Sequence, residues 1–267
     1  QFHLRGVHTM KKLAIASALL SALAITGTAH AYQAEVGASA GLIDPDNGSS
    51  SGSFGVDGTY YFNPVQTRNA PLAEAAFLDR ASNVNAKYQY DEVGDDERHQ
   101  YGVGAEVFIP NSDFYLGGKV GRDDYSFDNG GDFDTTVYSA EVGYLPAPGL
   151  LIAAGLKGYD NDYNDGVDPT LRAKYVTTLS NGKDINLEAG AAFGDLDEYN
   201  LKGDYFIDKT LSLGADYYSN DLSDTSEFGI NARKFFTPQV SLEGRVGFGE
   251  VGNNDYNKFG VAAKYRF

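Results

Sequence analysis

The chain has 267 residues, 37 acidic and 21 basic, with no Cys, no Trp and a single Met. Without Cys there is neither a disulfide framework nor thiolate chemistry, and a net charge of −16 works against nucleic acid, where affinity rests on neutralising phosphates. No residue pattern suggests a cofactor, and none is expected.

Met10 is followed at once by Lys11, Lys12 and the apolar run Leu13 to Ile25, which ends in Ala29-His30-Ala31. A basic n-region, an apolar h-region and a small-x-small site predict a signal peptide over 10–31. Residues 1–9 lie upstream of the only Met and are set aside as extraneous, so the mature chain is taken as 32–267. Residues 1–31 carry three basic residues and no acidic one, so the mature chain is more acidic still, and His99 is its one histidine. It contains no apolar run of roughly 18 residues, so no transmembrane helix is expected.

Beyond the leader the chain alternates. Residues 32–42 place apolar side chains at every even position; Tyr101, Val103, Ala105, Val107 and Ile109 alternate with Gln100, Gly102, Gly104 and Glu106; Ile185, Leu187, Ala189, Ala191 and Phe193 do the same. A period of two over about ten residues marks a strand with one apolar face. Fourteen such segments stand in order along the chain: 32–42, 52–62, 82–90, 99–109, 113–122, 134–145, 149–159, 168–179, 183–193, 197–207, 209–219, 226–236, 238–248 and 256–267. An even number of strands, each long enough to cross a bilayer, predicts an all-β transmembrane antiparallel barrel of outer-membrane type, with both chain ends on the periplasmic side.

The connections are of two kinds. Even strands are followed by turns such as Pro110-Asn111-Ser112 and Ser180-Asn181-Gly182, odd strands by longer acidic stretches such as Asp91 to Arg98 and Asp160 to Val167. Short periplasmic turns and longer outer loops are the outer-membrane pattern. One connection breaks it. Asn63 to Ala81 is too long for a turn and holds Pro71, Leu72, Glu74, Phe77 and Leu78 in a helix-like stretch beginning at Pro, a favoured first helical residue. The expectation is that segment 63–81 folds into or across the periplasmic mouth and restricts the pore.

Alternation also assigns faces. Phe62, Phe114, Tyr144, Tyr205, Phe236, Tyr265 and Phe267 fall at periplasmic strand ends, and Tyr90, Tyr101, Tyr138, Phe193, Tyr199, Tyr217, Phe228, Phe248 and Phe259 at outer ends, as two aromatic girdles. The opposite face is expected to line a pore with Lys87, Lys119, Lys157, Arg172, Lys174, Lys202, Arg233, Arg245, Lys258, Lys264 and Arg266. Glu35, Asp57, Glu106, Glu141, Glu188, Asp204, Asp216 and Glu243 join them. Facing charges such as Glu243 with Arg233 or Lys264 could equally form stabilising ladders. Most other acids, but only Arg98 and Arg122 among the bases, fall in the outer loops, which predicts an acidic mouth that concentrates cations.

The end Phe259, Val261, Ala263, Tyr265, Phe267 resembles the signal by which the barrel-assembly machinery recognises outer-membrane proteins. The stretch Pro71 to Val84, preceded by Thr59-Tyr60-Tyr61-Phe62, resembles the outer-membrane porin family of Acinetobacter-type gammaproteobacteria, and Tyr199 to Lys202 and Lys264 to Phe267 look similar too. The resemblance implies a fourteen-stranded porin passing water, ions or small polar solutes, restricted by its periplasmic segment. Outer-membrane lipid and lipopolysaccharide are the expected surroundings, and the absence of a long loop reaching a neighbour leans toward a monomer.

Three other functions compete with a channel. Catalysis would need a base with an oriented partner, and His99 beside Asp95, Asp96 and Glu97 reads as solvated surface instead. The run Asp160 to Asp168 suggests a calcium loop, yet its Gly166 is misplaced and no helices flank it, so no metal site is expected. A closed structural or adhesive barrel would share every feature except permeability.

Overall fold

The computed structural model describes residues 31–93, 96–128 and 130–267. The leader and the residues before it, apart from Ala31, lie outside the described residues, as does Asp95. Fourteen strands form one closed barrel in which every strand pairs antiparallel with its chain neighbours. They are β1 (Ala31–Pro45), β2 (Ser51–Gln66), β3 (Asn83–Val93), β4 (Asp96–Phe108), β5 (Phe114–Ser126), β6 (Asp132–Ala147) and β7 (Leu150–Asn161). The second half continues with β8 (Asp165–Thr178), β9 (Asp184–Ala192), β10 (Glu198–Asp208), β11 (Leu211–Asn220), β12 (Thr225–Phe235), β13 (Val240–Val251) and β14 (Asn254–Arg266). Closure runs from Glu35 opposite Arg266 to Pro45 opposite Tyr256, so neither terminal strand leaves an open edge. A β-bulge between Tyr32 and Ala34 lets β2 run on past its pairing with Ala34, to set Val65 against Tyr32.

The strands exist where they were expected, but their outer ends run further. β4 begins at Asp96 rather than 99, β5 reaches Ser126 rather than 122, and β8 starts at Asp165 rather than 168. The acidic stretches 91–98 and 160–167, expected to be long outer loops, are therefore mostly paired strand; 162–164 is all that remains of the second. Apolar alternation stops where lipid stops, whereas the hydrogen-bond ladder continues into water. At the other end, turns shrink to two residues between β6 and β7, where Gly149 takes φ +75 and an added Cβ would meet the Val176 carbonyl oxygen at 2.2 Å.

The outward face presents Leu42, Val103, Val142, Leu156, Leu201, Ile230 and Val261, all exposed because lipid is their solvent. Aromatic side chains bound this band: Phe62, Phe114, Tyr144, Phe236 and Phe267 at one end, Tyr101, Tyr138, Tyr199 and Phe248 at the other. His99 also points outward, its Nδ1 2.9 Å from the Tyr88 hydroxyl and its ring 5.1 Å from that of Tyr90. The β2–β3 connection carries a short 3-10 turn, Leu72–Glu74, and one helical turn, α1 (Ala75–Leu78).

Candidate functional site

The inward side chains meet in ion pairs and hydrogen bonds that climb the wall. At the end holding the chain termini, Glu35 accepts from Arg266 at 2.6 Å and Lys264 at 3.2 Å, and Lys264 lies 3.1 Å from Asp57. The Arg266 guanidinium is held between the Tyr32 and Phe235 rings, 4.5 and 4.6 Å from their centroids. Higher up, Arg172 pairs with Glu141 at 2.5 Å and donates to the Tyr115 hydroxyl, which in turn donates to Glu106 at 2.8 Å. Arg233 meets Glu243 at 2.5 Å, Lys202 lies 3.4 Å from Asp204, and Asn186 donates to both Asp204 and Glu188. Toward the outer end Arg245 bridges Asp216 and Glu227, and Lys157 pairs with Glu198 at 2.6 Å. Lys87, Lys119 and Lys258 stand on the same face without an ion pair among the described residues.

The ladder anticipated from Glu243 is half right. Glu243 takes Arg233, whereas Lys264 turns to Glu35 and Asp57, because closure sets β14 beside β1, which carries Glu35, with Asp57 of β2 reaching over Gly37 of β1 from the next strand. Sequence reasoning missed the neutral groups joined to the network: Tyr115, Asn83 and Asn186. The phase of β5, fixed by outward Phe114 and Leu116, was the signal that Tyr115 points in.

The β2–β3 connection lies across the terminal end of this lumen. Strand β2 runs to Gln66, so the connection is 67–82 rather than 63–81; the extra pairing follows a bulge in β2, where Tyr60 to Val65 spans Tyr32 to Ala34 of β1. Leu72 N donates to the Lys209 carbonyl at 2.9 Å, and the Leu72 carbonyl accepts from Arg266 at 2.8 Å. Glu74 is 5% exposed and pairs with Lys174 at 2.8 Å, while Lys174 also holds Glu188 at 2.9 Å and lies 5.0 Å from the Phe77 ring centroid. Phe77 packs on buried Phe108, Tyr115, Leu145 and Leu151, and Ala75 and Ala76 on Tyr32, Tyr61 and Val65. Pro71 is fully buried, and Leu78 approaches the β6–β7 turn. These inward apolar residues belong to doublets, Val107-Phe108, Tyr144-Leu145, Leu150-Leu151 and Phe235-Phe236 among them, which interrupt the alternation on the polar face. An apolar wall inside a watery lumen requires an apolar occupant, and the doublets are its sequence trace.

Above the segment a cavity of about 450 Å³ opens between Glu74 and Phe77 below and Glu106, Lys119, Arg172 and Lys202 on the walls. At the outer end the 193–197 connection bends inward. Leu196 packs on Tyr159, and the Asp168 carboxylate accepts from Asp195 N at 3.0 Å and Leu196 N at 2.7 Å. Asp168 is thus a loop anchor, and the described residues hold no group of three or more side chains arranged to bind a metal ion.

A model of the family described as "Putative general bacterial porin" matches residues 10–165. The structure is similar to that of the Acinetobacter baumannii outer membrane protein Omp33, at 30% sequence identity and a TM-score of 0.71, covering 89% of this chain and 99% of that one. It also shares its fold with the CymD monoaromatic hydrocarbon channel, at 9% identity and a TM-score of 0.54, covering 88% of this chain and 89% of that one. No curated protein sequence matches it. A closed fourteen-stranded barrel with an apolar outer belt and a charged interior, matched over more than half its length by the family's model, belongs to the general bacterial porins and is an outer-membrane channel.

Proposed function

We propose that this channel passes water, ions and small polar solutes by passive diffusion, through an acidic extracellular mouth and a pore lined by the inward charges. Docked residues 71–78 narrow it at the periplasmic end. The observation that carries the reading is Glu74: a carboxylate buried inside a barrel and ion-paired to the opposite wall at Lys174 holds its own segment across the lumen. Removing one partner of a buried pair leaves the other uncompensated, so the docked position resists thermal escape. Exposed Asp46, Glu97, Asp128, Asp162, Asp195, Asp221, Asp224 and Asp255 around the outer end support the acidic mouth.

Single-channel conductance in planar bilayers tests this. Deletion of Arg68 to Asp79 should raise the conductance of the refolded protein, and an unchanged value would overturn the narrowing. The near-saturation of inner-wall charges by ion pairs favours a second reading, a closed structural or adhesive barrel. That reading predicts silence in potassium chloride both before and after the deletion. Surrounding lipopolysaccharide, recognition of Phe267 by the assembly machinery and a monomeric state belong to the same proposal.

A further inference from the structure

The cavity above the segment is lined by eight charged side chains, and six of them are already engaged. Glu74 and Glu188 share Lys174, Arg172 holds Glu141, Lys202 lies beside Asp204, and Arg233 holds Glu243. Glu106 and Lys119 are the two that make no ion pair among the described residues. Glu106 accepts only from neutral donors, the Tyr115 hydroxyl at 2.8 Å and Asn83 Nδ2 at 3.1 Å. Lys119 is exposed to the lumen, its stem lying over Gly104 on the neighbouring strand.

These two groups are not distant. Glu106 lies opposite Gly117 in the β4–β5 ladder and Lys119 opposite Gly104, so they occupy diagonal positions on one face, about 7–8 Å apart along the backbone and somewhat closer between Cβ atoms. The diagonal is within reach of two long side chains, yet Glu106 stays with Tyr115 and Asn83 and the two charges form no ion pair with each other. Both line the cavity of about 450 Å³, which has room for a small molecule between a carboxylate and an ammonium that lack ionic partners among the described residues. A carboxylate offers acceptors alone and an ammonium donors alone, so together they match a ligand carrying both charges a few bonds apart.

We infer that Glu106 and Lys119 form a subsite for small zwitterions of the α-amino-acid class, the ligand's ammonium on Glu106 and its carboxylate on Lys119. The inference rests on the channel reading and names the solute class. A singly charged solute satisfies one wall group and leaves the other unpaired; a neutral solute satisfies neither. The other six charges that line this cavity, engaged in their own pairs, do not compete for the ligand.

Swelling of proteoliposomes tests the subsite with alanine and glycerol, which are close in size, alongside sodium propionate and propylammonium chloride. Alanine should enter faster than the other three. Glu106→Gln and Lys119→Met should each lower the alanine-to-glycerol ratio about two- to fivefold, the worth of one exposed charge contact. The double exchange Glu106→Lys with Lys119→Glu keeps both charges at reversed positions and should restore the ratio, which a merely structural role would not do. Alanine no faster than glycerol, faster entry of either singly charged solute, or an unchanged ratio in both single variants would overturn the subsite. Potassium chloride conductance separates the two failures. A conducting barrel without alanine preference sinks only the subsite, and one silent with and without residues 68–79 sinks the channel reading and the subsite together.

Discussion

At the scale of single residues, the inner wall owes its form to glycine as much as to charge. An added Cβ at Gly229 would fall 2.2 Å from Arg245 Nη2, and one at Gly37 2.4 Å from Asp57 Oδ1. Long charged side chains can therefore lie along the wall, each over a neighbour without a side chain, instead of filling the lumen. Outside, the Tyr138 ring lies over Gly158 in the same way, with its atoms 2.4–2.6 Å from where a Cβ would stand. Gly155 is the stricter case, since its Cβ would meet the Ala140 carbonyl oxygen at 2.1 Å and the Glu141 Cα at 2.8 Å, and backbone cannot swing aside. Gly155→Ala should destabilise the barrel by about 1–3 kcal/mol through overpacking. Gly244→Ala, with nothing within 4 Å of the new atom, should be close to neutral. Urea unfolding of the refolded proteins in lipid vesicles measures both.

At the scale of elements, each strand meets two solvents, and the two faces tolerate different changes. Val103 lies on the outward face of β4, 56% exposed, flanked by Tyr101 and Val107 on the same face. Val103→Arg would place a charge in the hydrocarbon and should cost about 2–4 kcal/mol. Gln100→Arg on the inward face of the same strand, where Arg98 already pairs with Asp123, should cost far less. The same unfolding assay decides whether the faces are assigned as described; equal losses would contradict it. The connection between β2 and β3 obeys a different rule. Its helical turn is only four residues long, too short to persist by hydrogen bonding alone, so contacts of Glu74 and Phe77 with the wall fix it.

At the scale of the whole molecule, closure removes every sheet edge and leaves charge distribution as the main determinant of what approaches. Exposed acids crowd the outer end, whereas the interior carries both signs in pairs. Surface potentials of this kind are screened over about 10 Å at 0.1 M salt and about 3 Å at 1 M. Reversal potentials across potassium chloride gradients should therefore show cation preference at low salt that fades as salt rises. Preference independent of salt would place selectivity inside the pore and not at the mouth.

The number of strands, their order, their two faces and the outer-membrane setting are legible in the sequence alone, because a period of two over fourteen segments admits one inside and one outside. The odd segment between β2 and β3 is equally plain there, since its length and its apolar content are local properties. Tertiary structure alone decided the rest. Which carboxylate takes Lys264 depends on β1 lying beside β14, a neighbourhood separated by more than two hundred residues along the chain. That Glu74 crosses to Lys174, and that Glu106 and Lys119 are left without ionic partners among the described residues, depends on the curvature and register of the closed sheet. The strand ends beyond the lipid were hidden for a related reason: pairing there is written in backbone hydrogen bonds, which leave no mark on side-chain polarity.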